Sequence, residues 1–530
     1  MLGEQGAGDK PGMVSPEKMF SHLSADVQKV LEDPEAQAAW LEEYIPGSEE
    51  EKRMVRKIDR NMMPMLWVMY VLNYIDRTNI GNAKVQGLAK DLKLDDNGYS
   101  VALLIFFVGY LLFEVPSNMI LSRTKPSIYL PAIMFIWGCM TIAVKGVNNG
   151  PSLVALRFFL GIVESGFFPG VLFLLSSWYK REELSKRFAI FYSASIISGA
   201  FGGLLAGGVI EGMEGLGGVR GWKWLFIIEG LATVVVAVIA VFVLPNYPRS
   251  TKWLTPRERA IATKRLMLES PGGLEGKQLS HKAGLMLAVK DWKTWAFTVG
   301  YMCIAGAGTI SYFIPSIVGQ LGYKGRDAQW FSCPPYAVAL VFSLATNFHA
   351  DYRRERAFHA TIPITLAGIF CIVQAIHVSP TAGYVLLCFV AAGIWTALPV
   401  FLAYVTTVLG DPPEKRAVAI AIVNSLGNFA SVYGSFLWPS TTAPKYTQGW
   451  SVSAGFCMLA AAICMLIRFK VGPMKVLDNE EAVRRVEEDV QNQEEGSSYA
   501  EESRHHASND MEDNKQAKGE GVIYTTSDSR

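Results

Sequence analysis

Between about Met63 and Phe469 the chain is a succession of apolar runs, each roughly twenty residues long, separated by short polar stretches. The polar segments before and after this region are charged. The runs fall near 63–82, 98–121, 127–145, 152–178, 187–210, 223–244, 294–316, 330–349, 358–377, 381–408, 416–437 and 450–469. They are apolar all round instead of along one stripe, as lipid-immersed helices are, and each is long enough to cross a bilayer. The pattern predicts an all-α membrane protein with twelve transmembrane helices. An even number of spans places both tails on one side. Lysine and arginine gather on that side at Arg123/Lys125, Lys180/Arg181/Lys186/Arg187, Arg353/Arg354/Arg356 and Lys415/Arg416, which makes it cytoplasmic by the positive-inside rule. The first apolar run begins only after Lys52, Arg53, Arg56, Lys57 and Arg60, so the first helix is expected to act as its own insertion signal.

Composition sharpens this picture by exclusion. Apolar residues are 50% of the chain and charged residues 18%, and a soluble protein would spread those charges more evenly. The net charge of +1 averages acidic tails against basic loops and implies no nucleic-acid partner. The seven cysteines sit singly in apolar segments, with no CxxC and no histidine at metal-ligand spacing, so no metal is expected. Nor is there a nucleophile–base pair or a phosphate-binding glycine loop outside membrane helices, which argues against an enzyme and against a cofactor.

The longest connection contains RSTKWLTPRERAIATKRL and reads as a charged surface helix between two six-helix halves. An internal repeat supports the division. PSNMILSR at the end of the second span aligns with ATNFHADYR at the end of the eighth, placing Asn118 opposite Asn347 and Ser122 opposite Asp351. SKRFAIFYSAS and EKRAVAIAIVN open the fifth and eleventh. The expected organisation is a cytoplasmic tail (1–60), a first bundle (61–245), a cytoplasmic linker (246–293), a second bundle (294–470) and a cytoplasmic, disordered tail (471–530). Related halves with a central loop suit a transporter whose substrate site lies between them at mid-membrane.

Several motifs together carry a resemblance: NYIDRTNIGNA, GYLLFEVPSNMILSR, LRFFLGIVESGFFPG, SSWYKREELSKR, GWKWLFIIEG and LPNYPRSTKWLTPRERA. In these the chain resembles the major facilitator superfamily, and within it the fungal allantoate permease-like anion:cation symporters, with nicotinic acid transporter-like members most similar. The resemblance implies the major facilitator fold and proton-coupled import of a small organic carboxylate, without fixing which one, at the plasma membrane. It implies as partners the organic anion, protons and the lipid bilayer, and function as a monomer. The alternative is an exporter or intracellular carrier, for instance of a secondary metabolite.

Asp76 and Arg77 lie roughly 20 Å into the first span, where an ionisable residue is a functional-site hypothesis by default. Adjacent residues on a helix do not face one another, so each must find partners on a different neighbour. Arg157 and Glu164 are two turns apart on nearly one face of the fourth span, at matching depth. Their counterparts in the tenth span are the apolar Leu387 and Ile394, an asymmetry that favours function over scaffolding. In related organic-anion symporters the matching residues are linked to proton coupling and gating, which implies that role for Asp76, Arg157 and Glu164. Arg77 is the expected cation for the substrate anion, with Tyr312, Trp395, Asn424 and Asn428 lining the second half. Asn118, Arg123, Asn347, Asp351 and Arg353 are expected at a cytoplasmic gate. The histidines, His349 and His359 among them, read as scattered and interfacial. Gly199, Gly203 and Gly207, at four-residue spacing, predict a close helix contact.

Overall fold

The computed structural model describes residues 29–30, 32–42, 44–122, 124–269, 281–323, 325–353, 355–376, 378–409 and 413–472. Arg123, Arg354, His377, most of the N-terminal tail and nearly all of the C-terminal tail lie outside them. Every described element is helical, and helices occupy each of the twelve predicted spans. In chain order they are α1 (Pro34–Leu41), α2 (Glu49–Ala83), α3 (Asp96–Ser122), α4 (Pro126–Ala143), α5 (Gly150–Glu164), α6 (Phe167–Ser176), α7 (Arg181–Gly212), α8 (Gly221–Val243) and α9 (Pro256–Glu269). The second half comprises α10 (His281–Lys290), α11 (Trp292–Gly308), α12 (Ile314–Gln320), α13 (Cys333–Arg353), α14 (Ala357–Ala375), α15 (Pro380–Val408), α16 (Pro413–Asn428), α17 (Ala430–Gly434) and α18 (Thr447–Val471).

Among the described residues nine helices are long and apolar enough to cross a membrane, or ten when one bent pair is counted as a span. That pair is the seventh span, which bends by 57° at Phe313. Pro315 fits the break: it lacks the N–H that would bond back across it, it sits in the first turn of α12 where that donor is not needed, and Phe313 just before α12 leaves helical geometry. Two predicted spans fall short of the apolar test for sequence reasons. The first, α2, carries Asp76 and Arg77 together with Asn73, Asn79 and Asn82 in its buried part. The eleventh opens on Pro-Glu-Lys-Arg and is interrupted between Asn428 and Ala430. The fourth also breaks, just after Glu164, at Ser165 and Gly166.

The same packing recurs in both halves. α3 lies against α5 as α13 lies against α15, α4 against α8 as α14 against α18, and α2 against α7 as α11 against α16. The halves meet along two seams, α7 on α13 and α3 on α17. The first seam is extended by the short helix Arg326–Trp330 just before α13, and there the predicted glycine contact is present. A Cβ at Gly203 would lie 2.9 Å from the Gln329 carbonyl oxygen, and one at Gly207 would lie 2.5 Å from the Trp330 indole nitrogen. The second seam is polar. Ser440 donates from its backbone N–H to Asp96 at 2.8 Å, and the Ser100 hydroxyl donates to the Ser435 carbonyl at 2.9 Å.

The first helix of the linker, α9, is charged, as its sequence reads, and anchored to the first half. Arg265 is wholly buried and donates to Glu51 at 3.2 Å, Glu183 at 3.0 Å and the Trp178 carbonyl at 2.8 Å. Arg257 reaches Glu42 and Glu50, and Lys57 meets Glu258 at 2.6 Å. α9 is thereby fastened to the first half. Its second helix, α10, packs on α16 in the other half, where Lys415 pairs with Asp291 at 2.6 Å. At the centre of the first clasp, Glu51 accepts from Tyr44 and the Gly47 N–H at 2.7 Å each and pairs with Lys180 at 2.7 Å. Burial pushes this carboxyl up, but the hydrogen bonds from Lys180, Tyr44 and Gly47 outweigh it and hold it at about 2.

Candidate functional site

Asp76 and Arg77 point to different neighbours, as helix geometry requires. Asp76, 2% exposed, turns into the first half and accepts from the Trp137 indole at 3.1 Å and the Thr233 hydroxyl at 3.3 Å. Arg77 turns the other way and forms an ion pair with Glu164 through its Nε. Asn73, one turn earlier on α2, donates to the same Glu164 oxygen at 2.8 Å. Glu164 therefore meets Arg77 and Asn73, and not Asp76 as depth alone suggests. Arg157 stands over Phe106 at 5.4 Å and lines a small internal cavity with Asp76, Thr141 and Phe226.

The Arg77 guanidinium is ringed by aromatic faces. Its central carbon lies 4.9 Å from the Tyr110 ring, 5.5 Å from Phe106 and 5.8 Å from Tyr74. Its Nη2 and the second oxygen of Glu164 have no hydrogen-bond partner. A desolvated guanidinium with a spare donor, held against π faces, is suited to an anion that brings a planar carboxylate. Tyr312 faces the same region from the second half, 6.1 Å from Phe107 by ring centroids. Its backbone carbonyl comes so near Gly81 that a Cβ there would lie 2.5 Å from it.

The remaining predicted second-half residues divide. Trp395 is buried and packs on Tyr336 at 4.9 Å, behind the glycine seam. Asn424 is engaged across the halves: it donates to Glu114 at 3.1 Å, and Ser425 donates to the other oxygen at 3.3 Å. Asn428, half-buried, lies one turn further along α16. Of the residues predicted for the gate, three have described side chains. Asn347 bonds back to the Ser343 carbonyl of its own helix at 2.8 Å. Asp351 pairs with Arg356 at 2.8 Å, while Arg353 is exposed at the end of α13. Asn118 lies in α3, and Arg123 falls outside the described residues. The two histidines are not scattered: His349 Nδ1 lies 2.8 Å from His359 Nε2, and His359 Nδ1 lies 2.9 Å from Glu355.

Two buried carboxyls escaped the sequence reading, Glu114 (4% exposed) and Glu229 (1% exposed). Each is a single acid inside an apolar run, which is the same signal that marked Asp76 and Glu164.

Comparison with known proteins agrees with this architecture. Residues 66–435 match the Major Facilitator Superfamily. The chain is 34% identical over 460 residues to the MFS transporter prlL of Fungal sp. (strain NRRL 50135), covering 84% of this chain and 91% of that one. It is 32% identical to the major facilitator-type transporter hxnP of Emericella nidulans, covering 83% and 90%. It is 30% identical to a putative tartrate transporter of Agrobacterium vitis, covering 80% and 94%. Among solved structures, an inward-facing, unoccupied bacterial homolog of the human lysosomal transporter Spinster superposes with a TM-score of 0.61 at 18% identity, covering 76% of this chain and 95% of that one. The chain belongs to the Major Facilitator Superfamily, a family of multi-pass membrane transporters and not of enzymes.

Proposed function

We propose that the protein is a proton-coupled importer of a small organic anion, working by alternating access in the plasma membrane with both termini cytoplasmic, and that it falls in the allantoate permease-like branch. The observation that carries this reading is Arg77, buried, paired with Glu164 and aromatic-walled, yet with one nitrogen left to donate. A buried arginine paired so tightly needs a competing anion to leave its partner, and a substrate carboxylate is one. When Arg77 turns to the substrate, Glu164 loses its cation and becomes a proton acceptor, so anion and proton binding favour each other. Asp76 and Arg157, sharing one small cavity behind this pair, complete the coupling group. The motif resemblance supports the branch, and the tartrate transporter among the relatives supports a carboxylate cargo.

The experiment is uptake of a panel of labelled carboxylates, tartrate, nicotinate and pantothenate included, by cells expressing the chain, at acid and neutral pH with and without an uncoupler. Acid-stimulated, uncoupler-sensitive uptake of one compound is expected. Arg77→Lys, which keeps the charge but loses the planar fork, should lower that uptake about tenfold or more. Faster loss of a preloaded compound, with no uptake of any, would make the protein an exporter instead.

A further inference from the structure

Glu229 lies on α8, roughly 12 Å from the start of that helix, and is 1% exposed. Neither of its carboxyl oxygens has a hydrogen-bond partner among the described residues. Thr233, one turn further along the same face, donates to Asp76, which brings Glu229 beside Asp76. The Oδ1 of Asp76 is also unpartnered. Among the described residues the cations on the other neighbours of α8 are engaged or exposed elsewhere: Lys84, after α2, lies 3.8 Å from Asp96, and Lys145, after α4, is exposed. α4 contributes Trp137 and Thr141, which do not titrate, and packs so closely that a Cβ at Gly230 would lie 2.7 Å from the Gly138 carbonyl oxygen. α7 meets α8 through an apolar cluster of Ala206, Val209, Ile210 and Leu225. Among the described residues the buried carboxyls in the membrane core of this half, Asp76, Glu114, Glu164 and Glu229, outnumber its guanidiniums, Arg77 and Arg157. Arg77 is committed to Glu164, and Arg157 shares a cavity with Asp76. Glu114, the remaining buried acid near Arg77, is satisfied by Asn424 and Ser425. Among the described residues neither a cation nor a donor serves Glu229, and an ionised carboxylate left so in a dry core is costly and short-lived.

We propose that Glu229 holds a proton inside the first half and forms with Asp76 an acid dyad that stores the coupling proton apart from the substrate cavity. In this structure the two carboxyls make no hydrogen bond to each other, so the O–H of Glu229 meets the free Oδ1 of Asp76 only when the two side chains close up. Transfer breaks that bond and forms one on Asp76, leaving the carboxylate on Glu229, so the dyad keeps a single negative charge throughout. Asp76 lines the cavity it shares with Arg157, which opens the dyad toward that cation. The role of the dyad in transport rests on the proton-coupled reading above, whereas the resident proton does not.

The test therefore has two arms. Infrared spectra of the purified full-length protein in lipid vesicles at neutral pH should show the carbonyl stretch of a protonated carboxyl. Glu229→Gln should remove it, Glu229→Asp should restore it, and Asp76→Asn should shift it. A band unchanged in Glu229→Gln, or no such band in the wild type, would overturn the proposal. In the second arm, each coupled proton contributes about tenfold accumulation per unit of pH difference. Glu229→Gln, isosteric with the neutral acid, should lose one such factor while keeping exchange of substrate at equal concentrations. Full pH-driven accumulation in Glu229→Gln would remove Glu229 from the coupling path even if the band is present. A wild type that accumulates nothing with pH would defeat the importer reading and leave the infrared arm to decide on the proton.

Discussion

Glu51 shows what a single carboxylate contributes when cations, a phenol and a backbone N–H converge on it. Its value in the folded protein, about 2, lies below the ordinary 4.5, so its contribution to stability is whole above that ordinary value and drains away as pH falls toward the folded one. Replacing it with glutamine leaves Lys180 and the wholly buried Arg265 short of an anion, at a cost of about 3 kcal/mol. In thermal unfolding followed by tryptophan fluorescence, Glu51→Gln should melt below the wild type from neutral pH down to about pH 5, and the gap should close toward about pH 2. A gap independent of pH would mean that packing, not charge, holds the clasp. At this scale the sequence is legible wherever an ionisable residue interrupts an apolar run. Asp76, Arg77, Arg157 and Glu164 stand out in this way, and Glu114 and Glu229 carry the same mark. What cannot be read is pairing. Arg265 looks like one more surface charge of the linker, and only the return of the chain past Glu51 and Glu183 buries it.

α7 carries its glycines for a reason that distance makes plain. At Gly203 an added Cβ meets a backbone oxygen, which cannot swing aside, whereas at the neighbouring Gly208 nothing lies within 4 Å. Gly203→Val should hold α7 and α13 apart. Overpacking of this kind costs about 1–3 kcal/mol, enough to bias the closed seam against its open alternative by roughly five- to 150-fold. Uptake by Gly203→Val should fall accordingly at normal expression, and Gly208→Val should transport like the wild type. Equal activity of the two would show that the seam does not govern transport. The four-residue glycine spacing was enough to read this contact from the sequence. The bend at Phe313 was not read, although Pro315 was in plain view, because hydropathy continues across a break that backbone geometry does not tolerate.

The repeated packing of the two halves gives the molecule two seams related by the repeat, α7 on α13 and α3 on α17, and both must part if the halves rock. The end of the second seam far from the linker is held by Asp96 and Ser440, whose side-chain oxygens approach to 2.5 Å. Asp96→Cys with Ser440→Cys, in a background without other cysteines, brings two thiols within reach of a short bifunctional reagent. Cross-linking there should keep that end closed, abolish uptake, and leave labelling of a cysteine at Asn424 from the linker side undiminished. A reducible reagent should give the activity back on cleavage. The control is Asn148→Cys with Lys223→Cys, a pair that already touches within the first half at 3.1 Å and should transport when cross-linked. If the Asp96–Ser440 pair also transports when cross-linked, the halves do not separate at this end. Substrate would then have to pass by local movement of α12 and the segment after α17, the places where the second half is already bent or broken.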